Sequence, residues 1–108
     1  MFKAIILLTR REGQTREEFR DWWLGRHAPL ARQLPGLRRL VFNAVDTDDE
    51  PCDGVSELWF DSREAFDAAY ASEVGQRVAA DSLANVGSRE RLFVDEHVQV
   101  GEGAAGTP

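Results

Sequence analysis

The sequence contains 108 residues, which is enough for one domain with a substantial core and too few for two domains of ordinary size. Hydrophobic residues make up 43% of the chain and charged residues 30%, a balance typical of soluble globular proteins rather than disordered or membrane-spanning ones. The formal net charge of −6 argues against nucleic acid or an anionic membrane surface as the principal partner. We therefore expect a single domain over residues 1–100, followed by a disordered tail over residues 101–108.

Two further features bear on the cellular compartment. The longest apolar run, Ala4 to Leu8, is far shorter than the roughly 20 residues that a transmembrane helix needs, and no stretch resembles a secretion signal. Cys52 is the single cysteine, so no intramolecular disulfide can form, which is typical of a reducing compartment. The sequence thus predicts a cytoplasmic protein with no membrane partner.

The first third of the chain predicts a strand and then a helix. Residues 2–9 (FKAIILLT) are apolar on both alternating faces, which is typical of a strand buried on two sides. Thr15 and Glu18 have the spacing of a capping box, so a helix should begin there. Pro29 should end or kink this helix near His27, because proline lacks the backbone N–H and its ring obstructs the preceding turn.

The remainder of the chain predicts three strands and two helices. An acidic loop, DTDDEPCDG, separates the second and third strands, and Gly75 should interrupt the helical region that follows. In chain order we expect a strand over residues 37–45, a strand over 55–60, a helix capped by Asp61-Ser62-Arg63-Glu64, a shorter helix over 76–84 and a strand over 91–100. The order βαββαβ predicts an α+β fold of the ferredoxin-like type, with two helices on one face of a four-stranded antiparallel sheet.

The second face of this sheet raises a packing problem. In the third strand Leu58 and Phe60 point to one face, whereas Glu57 and Trp59 point to the other. Both faces therefore carry large apolar groups, but one subunit supplies a single layer of helices. Because large exposed apolar patches are uncommon on monomers, we expect the second face to be covered by another copy of the chain in a homodimer.

His27 is the first candidate for chemistry. It follows Phe19 and Trp23 at helical spacing, which places it on the apolar face of the first helix, pointing inward. Imidazole has an ordinary pKa of roughly 6.5, which suits proton transfer near neutral pH. A histidine in this position can equally be a core residue whose ring nitrogen is satisfied by a carbonyl or carboxylate group.

Three further polar residues are candidates. Strand alternation puts Glu57 on the face that we expect to be buried, where it acts on the imidazole or simply pairs with Arg39 or another arginine. Asp81 and Asn85 are four residues apart, so both could point into a cavity or form an ordinary polar helix face. His97 and Cys52 are weaker candidates, since a solvated strand end and a loop explain them.

Motifs for other chemistries are missing from the sequence. It contains no CxxC pair, no HExxH, no glycine-rich phosphate loop and no GxSxG. The spacing of His27 and His97 gives no reason to expect a metal site. We therefore expect neither a metal nor a cofactor.

The combined signature of three segments resembles the EthD family, named for ethyl tert-butyl ether degradation. The segments are W-x3-H-x-P-L over residues 23–30, LPGLRRLVFN over 34–43 and DGVSELWFDS over 53–62, within a similarity that spans about residues 2–99. The resemblance implies a dimeric α+β barrel, in which two ferredoxin-like units pack sheet to sheet.

The resemblance also implies a class of activity. Relatives are associated with oxidative breakdown of xenobiotics, cofactor-free oxygenation or dehydration of aromatic polyketides, and isomerisation of muconolactone-like compounds. The histidine of the H-x-P-L motif matches His27, which it marks as a candidate acid/base residue. Asp81 and Asn85 match an Asp and Asn common after the second helix, although Val86 replaces the aromatic residue often found beside that Asn.

The leading hypothesis from the sequence is a small cofactor-independent enzyme of oxygenase or isomerase type. His27 would move a proton to or from a hydrophobic, cyclic or aromatic substrate between the sheet and the first helix, with Glu57 or Asp81 orienting the imidazole. The expected substrate-binding residues are Trp23, Phe42 and Trp59 as apolar walls and Asn43 and Asn85 as hydrogen-bonding groups. The alternatives are a non-catalytic accessory protein that binds a small molecule for a partner oxidase, and a purely structural dimerisation module.

Overall fold

A four-stranded antiparallel sheet forms the centre of the computed structural model, which describes residues 1–103. The elements are β1 (Phe2–Thr9), α1 (Arg16–Trp22), a π-helical segment (Trp23–His27), α2 (Ala28–Ala31), β2 (Arg39–Ala44), β3 (Gly54–Phe60), α3 (Arg63–Ala71), α4 (Glu73–Asn85) and β4 (Ser88–Asp95). The strand order β2-β3-β1-β4 is that of the ferredoxin-like fold, so the predicted α+β class is confirmed. Residues 104–108, the end of the predicted tail, lie outside the described residues.

The alternation of β1 separates the two faces of the sheet. Ala4, Ile6 and Leu8 are buried in the core that the helices cover, together with Leu58 and Phe60 of β3. The partners in the ladders place Lys3, Ile5 and Leu7 on the opposite face. We call these the helix face and the open face of the sheet.

The first helical region begins as expected but does not end where the sequence predicts. The Thr15 hydroxyl accepts a hydrogen bond from the Glu18 backbone N–H at 3.0 Å, and the Thr15 N–H donates to the Glu18 carboxylate at 2.9 Å. Of the two outcomes predicted for Pro29, an end or a kink near His27, the end is not observed, since the chain continues as α2. Pro29 lies in the first turn of α2, where a backbone N–H is not required as a donor. The π-helical turn just before it changes the hydrogen-bonding pattern, so the missing N–H of Pro29 does not end the helical region.

The second helical region breaks earlier than predicted. Ser72, not Gly75, separates α3 from α4, and its extended backbone lets its hydroxyl accept a hydrogen bond from the Gly75 N–H at 3.0 Å. Gly75 lies within the first turn of α4. The end of α3 packs so closely against its Cα that a side chain would not fit there. The glycine therefore allows two helix backbones to approach each other.

The last strand is displaced from its predicted range. We expected residues 91–100, but β4 pairs with β1 from Thr9↔Ser88 to Phe2↔Asp95. Because β1 begins at Phe2, residues beyond Asp95 have no partner on this neighbour. Within the described residues, no helix is long and apolar enough to cross a membrane.

Replacing Gly75 with alanine should destabilise the fold by about 1–3 kcal/mol, the usual cost of overpacking a rigid site. The new methyl group would overlap the backbone at Ala69 and Tyr70, which cannot move without separating α3 from α4. Urea denaturation measures the change. Gly25→Ala is the matched control, because nothing lies within 4 Å of the added carbon there. Equal stability of the two variants would contradict the proposed close approach.

Candidate functional site

His27 lies at the end of the π-helical segment and points into the helix face of the domain, as the helical spacing predicts. The residue is 6% exposed. Its Nδ1 lies 2.8 Å from Oδ2 of Asp81, on α4. The ring centroid of His27 is 4.8 Å from that of Trp22 and 6.2 Å from that of Phe42 on β2. The imidazole is thus held between two aromatic rings and fixed by one carboxylate.

Asp81 is fixed in turn by its neighbours. Its Oδ2 also accepts a hydrogen bond from Trp22 Nε1 at 3.2 Å. The Asn85 amide donates to the other carboxylate oxygen at 3.2 Å and to the Asp81 carbonyl at 2.8 Å. Three side-chain donors therefore converge on this carboxylate. A group held in this way keeps the imidazole in one orientation.

The contact with Asp81 selects the tautomer of the imidazole. A carboxylate accepts hydrogen bonds, so Nδ1 of a neutral His27 carries the proton and Nε2 carries the lone pair. Within residues 1–103, Nε2 has no hydrogen-bond partner. The nitrogen that could take a proton from another molecule is therefore not engaged by the described chain.

Burial of His27 lowers its pKa below the ordinary value of 6.5. The hydrogen bond and the charge of Asp81 raise this pKa, but they only partly offset the effect of burial, and the charge of Arg89 lowers it as well. The imidazole is consequently neutral at pH 7, the form that acts as a general base.

A π-helical turn lies within the helical region that carries the large side chains of the site. The backbone N–H of Ala28 donates to the carbonyl of Trp23, five residues earlier, instead of the usual four. Trp22, Trp23 and His27, which lie in or beside this wider turn, are all buried. Single π-helical turns of this kind occur frequently at functional sites.

Trp23 forms one wall beside His27. Its ring stacks on Phe42 with a centroid separation of 4.5 Å and an interplanar angle of 4°. The edge of the indole lies against Gly54 of β3, where even a Cβ would come within 2.6 Å of the ring. Glycine at this position therefore makes room for the tryptophan on the helix face of the sheet.

Three of the predicted site residues lie elsewhere. Glu57, Asn43 and Trp59 are on the open face, so the sheet separates them from His27. The Asn43 amide donates to Glu57 at 2.9 Å, and the Glu57 carboxylate lies 2.8 Å from Lys3 Nζ. Glu57 therefore does not orient the imidazole. The second of its predicted roles, a salt bridge, is observed, but with Lys3 instead of an arginine.

The open face carries its own ion-pair cluster, which the sequence did not suggest. Lys3 Nζ is also 3.0 Å from Glu96, and Glu96 accepts a hydrogen bond from Trp59 Nε1 at 3.3 Å. The hydrogen bond from Lys3 lowers the pKa of Glu57 below its ordinary value. Glu57 is thus a charged member of a structural network, whereas a proton-transferring acid needs its pKa near neutrality.

Trp22 is the site residue that sequence reasoning missed. Trp22 is a core residue, 2% exposed, and its indole N–H also donates to Asp81. The available signal was helical spacing, because positions 22, 23 and 27 follow Phe19 at i+3, i+4 and i+8 and so share one apolar stripe with His27. His97 is exposed, and neither it nor Cys52 contacts His27.

Comparison with known proteins identifies the family of the chain. The EthD domain profile matches residues 11–86, which include His27, Phe42 and Asp81. The chain belongs to the EthD domain family. A relative from Rhodococcus erythropolis, an uncharacterised 11.0 kDa protein of the thcB–thcC intergenic region, is 34% identical over 83 residues, covering 72% of this chain and 80% of that protein.

Solved structures share the EthD-type fold of the chain. An EthD family protein from Bacillus halodurans superposes with a TM-score of 0.79 at 23% identity, covering 89% of this chain and 98% of that one. SnoaB, a cofactor-independent oxygenase from Streptomyces nogalater, gives 0.70 at 18% identity and covers 94% and 97%. Neighbours from Bacteroides fragilis and Thermobifida fusca are described as dimeric proteins with a ferredoxin-like fold. At these identities the likeness establishes the fold.

Proposed function

We propose that this EthD domain protein is a cofactor-independent enzyme in which His27 acts as a general base on a hydrophobic, cyclic or aromatic small molecule. The observation that carries the proposal is the 2.8 Å contact between His27 Nδ1 and the Asp81 carboxylate inside an aromatic enclosure. A base held by a carboxylate that is itself held by two further donors is typical of preorganised acid/base sites. The fold shared with a cofactor-independent oxygenase supports the same class.

The proposed catalytic step is a single proton transfer to His27. His27 Nε2 removes a proton from an acidic carbon or hydroxyl group, and the imidazolium is stabilised by Asp81. Returning the proton to a different carbon isomerises the substrate. An electron-rich carbanion can instead react with dioxygen, and the role of His27 is the same in both cases.

A substrate bound near His27 would lie against flat apolar surfaces. Trp22 and Phe42 lie beside the imidazole, Trp23 stacks on Phe42, and the Asn85 amide donates to Asp81. Aromatic walls of this kind favour planar rings, and the few polar groups set their orientation. Of the substrate-binding residues predicted from the sequence, we retain Trp23, Phe42 and Asn85 in this role.

The working form of the enzyme in this proposal is a homodimer. The open face of the sheet presents the row Val41–Glu57–Ile5–Leu92, in which Leu92 is 49% exposed in the single subunit. A second copy packed on this face would cover these side chains and close the dimeric barrel. The dimeric description of structural neighbours supports the arrangement.

Replacing Asp81 with asparagine tests the dyad. The substitution removes the carboxylate that raises the pKa of His27, so this pKa should fall further below 6.5. Because activity requires neutral His27, the acid limb of the pH–rate profile lies below pH 6.5 in the wild type, with loss of rate as pH falls. In Asp81→Asn this limb should move to lower pH, while the plateau rate falls about 10- to 100-fold through the lost charge-assisted hydrogen bond.

Turnover of a panel of phenols and unsaturated lactones in air, monitored by oxygen uptake and product formation, supplies the measurement. Asp67→Asn is the matched control, because Asp67 is an exposed partner of Arg63 on α3. An unchanged plateau and acid limb in Asp81→Asn would contradict the proposed role. Saturable binding without any turnover in the wild type would instead favour the accessory binding protein.

A further inference from the structure

An open cavity of about 320 Å³ lies between α4 and β4, lined by Leu83, Arg89 and Arg91. The register of the sheet fixes the face on which the two arginines lie. Arg89 pairs with Leu8, and Arg91 pairs with Ile6, both of which are buried in the core. Both arginine side chains therefore project from the helix face, the same face that carries His27.

Neither arginine has an acidic partner within residues 1–103. Of the twelve arginines of the chain, only Arg10, Arg16, Arg38 and Arg63 form ion pairs within the described residues, so the lack of a partner does not by itself single out this pair. What distinguishes Arg89 and Arg91 is that both guanidinium-bearing side chains line the same cavity.

The environment of Arg89 is energetically unfavourable for its guanidinium group. It is only partly exposed, and its Nε is enclosed without a hydrogen-bond partner in the described chain. Enclosing part of a guanidinium group without an acceptor is unfavourable, unless an anion from outside completes it. Arg91 is held beside it, with its guanidinium 4.7 Å from the Phe93 ring centroid.

The cavity belongs to the same region of the molecule as His27. On the helix face, one row of the sheet runs Ala44–Gly54–Leu8–Arg89, and Trp23 rests on its Gly54. The row spans three strand spacings, about 14 Å from β2 to β4. The charge of Arg89 acts to lower the pKa of His27, in agreement with its position on the same face of the sheet.

We propose that Arg89 and Arg91 form a carboxylate-binding subsite, and that the molecule on which His27 acts is therefore an aromatic or cyclic carboxylic acid. The subsite itself follows from the cavity and the unpaired arginines; the identification of its ligand as the substrate rests on the proposed function. Guanidinium groups bind carboxylates through paired N–H donors in a planar arrangement. The apolar part of the acid would extend from Leu83 toward the aromatic rings around His27.

Binding of 1-naphthoate and of its neutral isostere 1-naphthamide tests the subsite without relying on turnover. Titration calorimetry should show that the carboxylate binds the full chain at least about tenfold more tightly than the amide, since hydrogen bonds to charged groups contribute about 1.5–3 kcal/mol. Arg89→Gln and Arg91→Gln should each weaken naphthoate binding about 10- to 100-fold and leave naphthamide binding unchanged. Arg77→Gln, on the exposed face of α4, is the control and should bind like the wild type.

The imidazole of His27 supplies an independent readout. A carboxylate bound at Arg89 offsets the charge that lowers the pKa of His27, so naphthoate should raise this pKa in an NMR titration, and naphthamide should not. The other charged group facing the imidazole, Asp81, is present in both experiments. His27→Gln should retain naphthoate affinity, so a failed base mechanism and a failed subsite give different results.

Three outcomes would overturn the subsite. They are equal affinity for the acid and the amide, wild-type affinity in both glutamine variants, and no saturable binding of naphthoate or benzoate. If Arg89→Gln fails to fold by circular dichroism, Arg91→Gln and Arg89→Lys decide the question. The lysine variant keeps the charge but loses the paired donors, so it should bind naphthoate with intermediate affinity.

Discussion

Replacing His27 with glutamine should lower the turnover of any substrate of this protein by about 10²- to 10⁴-fold, the usual contribution of a positioned general base. Glutamine is close in size to histidine, and its amide can still donate to Asp81, so the packing against Trp22 and Phe42 should be kept. It cannot accept a proton near neutral pH. The loss should therefore appear in kcat more than in KM, because the aromatic walls that bind the substrate are unchanged.

The assay compares kcat and KM of wild type and His27→Gln on the best substrate of the phenol and lactone panel. His97→Gln is the matched control, because His97 is the other histidine of the chain and is exposed. The control should have wild-type rates, and its melting temperature should show that loss of a surface histidine is harmless. Turnover by His27→Gln within a factor of two of the wild type would end the general-base proposal. A large rise in KM with unchanged kcat would assign His27 to binding instead.

Local features of the sequence account for the parts of the fold that were predicted well. The capping box at Thr15 and the alternation of residues 2–9 act within a few residues, so their consequences follow from the pattern alone. The errors occur where contact with a distant segment determines where a helix or strand begins or ends. The break at Ser72 and the position of Gly75 depend on the approach of α3 and α4, and the end of β4 depends on the length of β1. Propensity cannot supply such tertiary information.

In the candidate site, too, the sequence predicts local features but not the contacts between distant segments. Spacing within one helix predicts that His27 points inward and that Asp81 and Asn85 share a face. It does not predict that Asp81, 54 residues further along, meets the imidazole. Strand alternation correctly placed Glu57 and Trp59 together, but the pattern alone did not assign them to the face opposite His27. That assignment requires knowledge of which face of the sheet the helices cover, and this is a property of the tertiary structure.

Introducing a charge at Leu92 should dissociate the proposed homodimer. Leu92 pairs with Ile5 on the open face and is 49% exposed in the single subunit, so a partner has much of this side chain to cover. Trp59 is a less direct probe, because Lys3 and Arg39 already lie over its ring at 4.4 and 5.0 Å, and it is only 9% exposed. Leu92→Asp would bury an unpaired carboxylate in each subunit, at a cost of several kcal/mol per site.

The dissociation constant, measured by sedimentation, should therefore rise at least about 10³-fold in Leu92→Asp, which corresponds to roughly 4 kcal/mol. Leu24→Asp is the matched control: Leu24 is 47% exposed, but it lies on the π-helical segment, away from the open face. It should remain dimeric with wild-type affinity. A wild-type chain that sediments as a monomer, or equal dimer affinity in the two aspartate variants, would show that something other than a second copy covers the open face.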